Sequence, residues 1–146
     1  MAEEQVYEYG NTWGRLLTET ALIAFMKKDG HARLMLGTRN TDTAKVMWPD
    51  KHLKGLLGGF DNRCNIGNGN IGVIDLAIGD CRSFGIDRVI AIKWLGELVT
   101  EDDINNAIEE YERIESDMQN QFGYTVRGGE AKALNKKDDF NEPIIF

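Results

Sequence analysis

The chain has 146 residues, 42% hydrophobic and 28% charged, with a formal net charge of −7. That composition supports one domain with a real core and excludes a chain disordered throughout. It also excludes a membrane-spanning helix, because no apolar run approaches the roughly 20 residues a bilayer requires, and it argues against nonspecific binding of duplex DNA, which needs a basic face.

The charge is unevenly spread. Residues 1–18 carry one base and three acids, residues 19–99 eleven bases and nine acids, and residues 100–146 five bases and twelve acids. The middle of the chain is therefore the part suited to an anionic ligand. Residues 1–17 read as an N-terminal arm. Met1-Ala2-Glu3-Glu4-Gln5 is acidic and lacks the basic-then-apolar pattern of a signal peptide, so a cytoplasmic location is expected.

Residues 20–26 read as a strand, and Asp29-Gly30 as the turn of a hairpin. The returning strand, 32–39, puts Ala32, Leu34, Leu36 and Thr38 on one face and Arg33, Met35, Gly37 and Arg39 on the other. A glycine inside a strand marks a bend, as a small barrel needs at its corners. Residues 40–70 read as a long irregular connection. Asn40-Thr41-Asp42 forms a turn, and two glycine-rich stretches follow, 55–60 and 65–70. These lack the Lys-Ser/Thr ending and following helix of a phosphate loop.

Residues 71–78 form a third strand, Gly79-Asp80 a turn, and 81–86 and 89–94 two short strands broken at Gly85–Arg88. Thr100 opens a helix over 100–123. Asp103 completes a capping box, and Ile104, Ala107, Ile108, Tyr111, Met118 and Phe122 recur at helical spacing. Residues 124–146 are a polar tail ending in the apolar segment Ile144-Ile145-Phe146. The expected fold is thus mainly β with an added helix, an α+β chain. Residues 18–99 form a small bent SH3/Sm-like barrel, followed by one long amphipathic helix and the tail.

Two stretches carry a family resemblance. One is the Lys27-Lys28-Asp29-Gly30 hairpin with the arginine-bearing strand after it. The other is Val73-Ile74-Asp75-Leu76, a short turn, then Arg82-Ser83-Phe84-Gly85-Ile86-Asp87-Arg88-Val89. Together they resemble the WYL-like proteins of T4-like tailed phages, which have an Sm-like SH3 barrel. The resemblance covers about residues 18–95 and departs from the family at Ile74, where an aromatic residue is usual. It implies a phage protein in the host bacterial cytoplasm and no catalytic chemistry. It also implies arginines on a bent barrel suited to nucleotides or single strands.

The candidate ligand-binding residues are Arg33, Arg39, Arg82, Phe84 and Arg88. Guanidinium groups take phosphate bidentately, and an aromatic ring offers a stacking face. A plainer reading pairs Arg82 and Arg88 with Asp75, Asp80 or Asp87 to hold the turn. Trp48, Ile144, Ile145 and Phe146 are candidate partner contacts, although burial of Trp48 in a minor core is the plainer expectation. Trp94 is expected to pack under the helix. His31, His52, Cys64 and Cys81 match no zinc spacing, so no metal or cofactor is expected. No catalytic triad or dyad is legible. Glu109, Glu110, Glu112 and Glu115 read as a solvated helix face.

The leading functional expectation is a non-enzymatic accessory protein that binds a nucleotide or short single-stranded nucleic acid, one use being to sequester a host defence signal. The alternative is a module that binds a host protein through its acidic helix and tail. Open barrel edges also make a homo-oligomer a candidate.

Overall fold

The computed structural model describes residues 7–63 and 69–122, without the side chains of Arg63 and of 119–122. The chain is α+β. Helix α1 (Tyr9–Leu16) precedes the hairpin β1 (Thr20–Met26) and β2 (Ala32–Thr38). Helices α2 (Thr41–Met47) and α3 (Leu53–Arg63) follow. Then come β3 (Asn70–Asp75), β4 (Asp80–Gly85), a 3-10 turn (Ile86–Arg88), β5 (Val89–Gly96) and α4 (Glu101–Phe122). The five strands form one antiparallel sheet in the order β4-β3-β2-β1-β5, open between its two edge strands.

The β1–β2 hairpin pairs along its full length, from Thr20 opposite Thr38 to Met26 opposite Ala32. Gly30, at φ 88°, takes the left-handed position of its turn. β3 pairs with β2 at Gly37 opposite Asp75 and Thr38 opposite Ile74, the Leu76 N–H adds a bond to the Leu36 carbonyl at 2.9 Å, and β3 then ends in the turn to β4. A Cβ on Gly37 would stand 2.8 Å from Val73 Cγ2. The missing side chain is what lets β3 pack this closely on β2, while the register through Gly37 is unbroken and the register shifts of the sheet fall between β1 and β5, at Thr20/Ala21 and Ala24/Phe25.

Alternation on the strands feeds two cores. Leu22, Ala24, Leu34, Leu36, Ile74 and Leu76 pack beneath α4 through Ile104, Ala107, Tyr111, Ile114 and Met118. Ala21, Ile23, Phe25, Met35, Ile71, Val73 and Phe84 fill the concave face with Leu16 of α1. The capping box is formed: Asp103 N–H donates to Thr100 Oγ1 at 3.1 Å, and Thr100 N–H to Asp103 Oδ2 at 3.4 Å.

The reading of 40–70 as irregular is corrected. Asn40 is an N-cap rather than a turn residue, its Oδ1 accepting from the N–H groups of Asp42 and Thr43. Thr43 then anchors α2 by donating to the Leu98 carbonyl at 2.8 Å. In α3 the glycines at 55, 58 and 59 dilute the apolar pattern, but Leu53 and Leu57 are buried one turn apart. The arm likewise contains α1, whose Trp13 and Leu16 pack on the concave core. Trp94 joins that same core, with the Arg15 guanidinium 4.3 Å over its ring, and not the layer under α4. Glu115 is buried at 5% exposure, its carboxylate accepting from Tyr111 Oη at 2.8 Å, so the acidic face is not wholly solvated.

Candidate functional site

A cleft of about 610 Å³ lies between the hairpin tip, β4 and the end of α3. Three of the predicted arginines reach it from three elements: Arg33 from β2, Arg82 from β4 and Arg88 from the 3-10 turn. Lys27 and Lys28 line its rim at the hairpin tip, so five cationic residues face one lining carboxylate, Asp29. Asp29 is itself engaged, 3.6 Å from Lys27 Nζ and 3.2 Å from His31 Nδ1.

Arg33 stands on β2 and Arg82 on β4, and both line the cleft. Asp75, almost fully buried, sits behind them, its Oδ2 3.3 Å from Arg82 Nε. That is an ion pair without hydrogen-bond alignment, and the buried Nε of Arg82 has no hydrogen-bond partner. The buried Nε of Arg33 has none either. None of the ion pairs among the described residues involves Arg33 or Arg88. The plainer reading of a turn-holding pair therefore holds for Arg82 and not for exposed Arg88.

Burial and, after it, repulsion from Arg82 push the Arg33 pKa below its ordinary value, against the pull of Asp75, Tyr111 and Glu115. An arginine stays protonated regardless. Burial likewise raises the Asp75 carboxyl above the usual carboxylate range. The Ala77 N–H, donating at 3.0 Å, and then Arg82 and Arg33 only partly offset it.

Two predicted residues are not part of this constellation. Arg39 is buried at 9% exposure in a structural role. Its Nη2 pairs with Asp61 Oδ2 at 2.7 Å, its Nη1 donates to the Gly72 carbonyl, and its guanidinium lies 5.0 Å from the Trp13 ring. Trp48 is half-buried, donating through Nε1 to the Leu76 carbonyl at 2.9 Å, with its indole against Gly79 and Lys51 Nζ 4.9 Å from its ring. Ile144, Ile145 and Phe146 lie outside the described residues, as does Cys64. Among the described residues no three His, Cys, Asp or Glu side chains gather as a metal site, and no helix is long and apolar enough to cross a membrane.

Phe84 does line the cleft, but at 2% exposure it is floor, tilted against Phe25 with ring centroids 6.0 Å apart. The aromatic wall is Phe60, from the end of α3, which sequence reading left inside a glycine-rich loop. Gly72 explains its position. A Cβ there would come within 3.1 Å of the Phe60 ring and 2.9 Å of Asp61 Oδ1, so the end of α3 seats directly on the β3 backbone. A helical reading of 53–63 would have turned Phe60 and Asp61 toward the sheet.

No family model matches the chain, and no curated protein or solved structure matches it either.

Proposed function

We propose that this protein is a non-enzymatic binding module whose cationic cleft takes a nucleotide or a short single-stranded nucleic acid. Phosphate lies on Arg33, Arg82 and Arg88, and a base stacks against Phe60. The observation that carries the reading is the convergence of three arginines and two lysines, with one carboxylate, on a cleft of about 610 Å³. That volume falls in the range of small-molecule sites, roughly 300–1,000 Å³. Phosphate satisfies the guanidinium N–H groups bidentately, and base–aromatic stacking tolerates any base. The finer fold reading belongs to the same proposal. The strand order and the 3-10 turn joining β4 to β5 support an opened SH3/Sm-type barrel. A WYL-like phage protein that sequesters a host nucleotide signal fits that chemistry.

The test is thermal stability of the purified protein against ADP, cyclic dinucleotides and short oligothymidylates, with inorganic phosphate as control. A ligand at a hundred times its dissociation constant adds about 2.7 kcal/mol. Arg88→Glu and Arg33→Met should each abolish the shift while leaving the unliganded protein folded. Arg82 is a poorer probe, because its loss strands Asp75. A flat panel, or a shift retained in both variants, refutes the cleft. It would leave the acidic outer face of α4 (Glu101, Asp102, Glu109, Glu112 and Asp117, all exposed) as the surface to examine for a protein partner.

A further inference from the structure

Resting on the reading of the cleft as a ligand site, we propose that the C-terminal half of α3 is a lid over it. The lid hinges at Gly58-Gly59, and its opening admits the ligand.

Among the described residues nothing packs closely enough to require the glycines of α3: a Cβ built on Gly55, Gly58 or Gly59 meets nothing within 4 Å. None of the three has the positive φ that would demand glycine. Their remaining effect is on the helix itself. Each glycine disfavours a helix interior about four- to five-fold against alanine, so three together weaken it on the order of 100-fold. A short helix with this handicap depends on its tertiary contacts.

Those contacts divide at the glycine pair. Leu53 and Leu57, before it, are buried in the larger core, where α3 packs on β3, β4 and α2. Phe60 and Asp61, after it, hold by a ring edge over Gly72 and by the Asp61–Arg39 ion pair, with Asp61 part-exposed. The anchored half thus rests on apolar burial and the hinged half on contacts that can be released singly. The hinged half carries Phe60, the aromatic wall of the cleft. A wall that moves while the arginine floor stays fixed on the sheet is the arrangement of a gate.

Local opening is read by native-state hydrogen exchange on the full chain without any ligand. Amides of residues 60–63 should exchange faster than those of central strand β1. The double variant Gly58→Ala/Gly59→Ala should slow them by about 20-fold, two steps of four- to five-fold. The control is Gly10→Ala/Gly14→Ala in α1, where a Cβ also meets nothing within 4 Å and which should leave α3 exchange unchanged. ADP is then mixed with wild type and the α3 variant in stopped flow. If opening precedes binding, the association rate falls with the open fraction, again by about 20-fold.

Unchanged exchange in the α3 variant overturns the lid, whatever ADP does. Slowed exchange with an unchanged ADP association rate overturns the gate while leaving the cleft intact. Slowed exchange with no binding of ADP, a cyclic dinucleotide or a short oligothymidylate to either protein overturns the cleft reading, and the gate with it.

Discussion

Gly37→Ala tests the close packing of β3 on β2. The new methyl would stand 2.8 Å from Val73 Cγ2, 3.3 Å from Val73 Cβ and 3.7 Å from Ile23 Cδ1. Val73 and Ile23 are both fully buried, and a β-branched valine has no alternative rotamer to offer cheaply. Overpacking of this kind costs about 1–3 kcal/mol. Stiffening the unfolded chain returns about 0.4–1 kcal/mol. The expected net loss is about 1–2 kcal/mol, or a few degrees in Tm for a chain of this length. Val73→Ala alone deletes two buried methyl groups and costs about 2 kcal/mol. In the double variant the methyl on residue 37 occupies space that Val73 vacates. The pair should therefore cost at least about 1 kcal/mol less than the sum of the singles. Urea denaturation with a common m-value measures all four corners of the cycle. A Gly37→Ala protein within 0.5 kcal/mol of wild type (about the limit of additivity), or strict additivity in the double, would refute the close β2–β3 crossing as the reason for glycine.

Two further outcomes follow from the polar groups around the cleft. The Asp75 carboxyl is raised by burial, so the folded protein binds its proton more readily than the unfolded chain. Its contribution to stability is present in acid, below the ordinary carboxylate value, and is lost as pH rises through the raised folded value. The stability of wild type relative to Asp75→Asn should therefore increase as pH falls across that window, measured by urea titrations at stepped pH. A gap that is flat or widens toward neutral pH would contradict the burial argument. Arg39→Met removes a buried cation whose partner, Asp61, keeps some water, so the loss should be about 2–3 kcal/mol, below the cost of breaking a fully buried pair. A stable Arg39→Met protein that had lost ADP binding would restore Arg39 as a ligand residue.

Much of the fold was legible where the local signal was strong. The Asp29-Gly30 turn, the alternation on β1 and β2, the break between β4 and β5 and the Thr100–Asp103 capping box each have one short-range cause, and each forms. The two helices between β2 and β3 were hidden for a physical reason. α2 is seven residues long and owes its start to one asparagine cap, while α3 carries glycines that argue against a helix by every propensity scale. Tertiary burial of Leu53 and Leu57 overrides that preference. The arginines divided on a question of direction. Arg33 and Arg39 alternate onto one face, yet Arg39 lies just past the end of β2 where β3 crosses, and it is drawn under α3 by Asp61. Sequence spacing shows which face a side chain takes but not which neighbour it meets there, and the neighbour separates a cleft arginine from a buried strut. Phe84, read as a stacking face, lies in the floor, and the wall is Phe60, which the glycines around it hid in a stretch read as loop.

The placement of charge bears on which anions the proposed site would admit. The cleft is cationic, but the chain carries −7 overall, and the exposed face of α4 adds carboxylates outside the sheet. Attraction to Arg33, Arg82 and Arg88 acts at contact and is only weakly screened because the site is part-buried. Repulsion from the rest of the surface acts over separations comparable to the Debye length, about 8 Å at physiological salt. A mononucleotide or a dinucleotide places its charges within reach of the arginines and ends there. A long strand must continue past the rim and carry a phosphate charge per nucleotide along a chain whose net charge is negative. Duplex DNA fares worse, since its affinity scales with the number of phosphates neutralised. On the reading proposed above, a cationic cleft set in an acidic protein is therefore a length filter. The arginines provide the binding, and the negative exterior disfavours ligands too long to be enclosed.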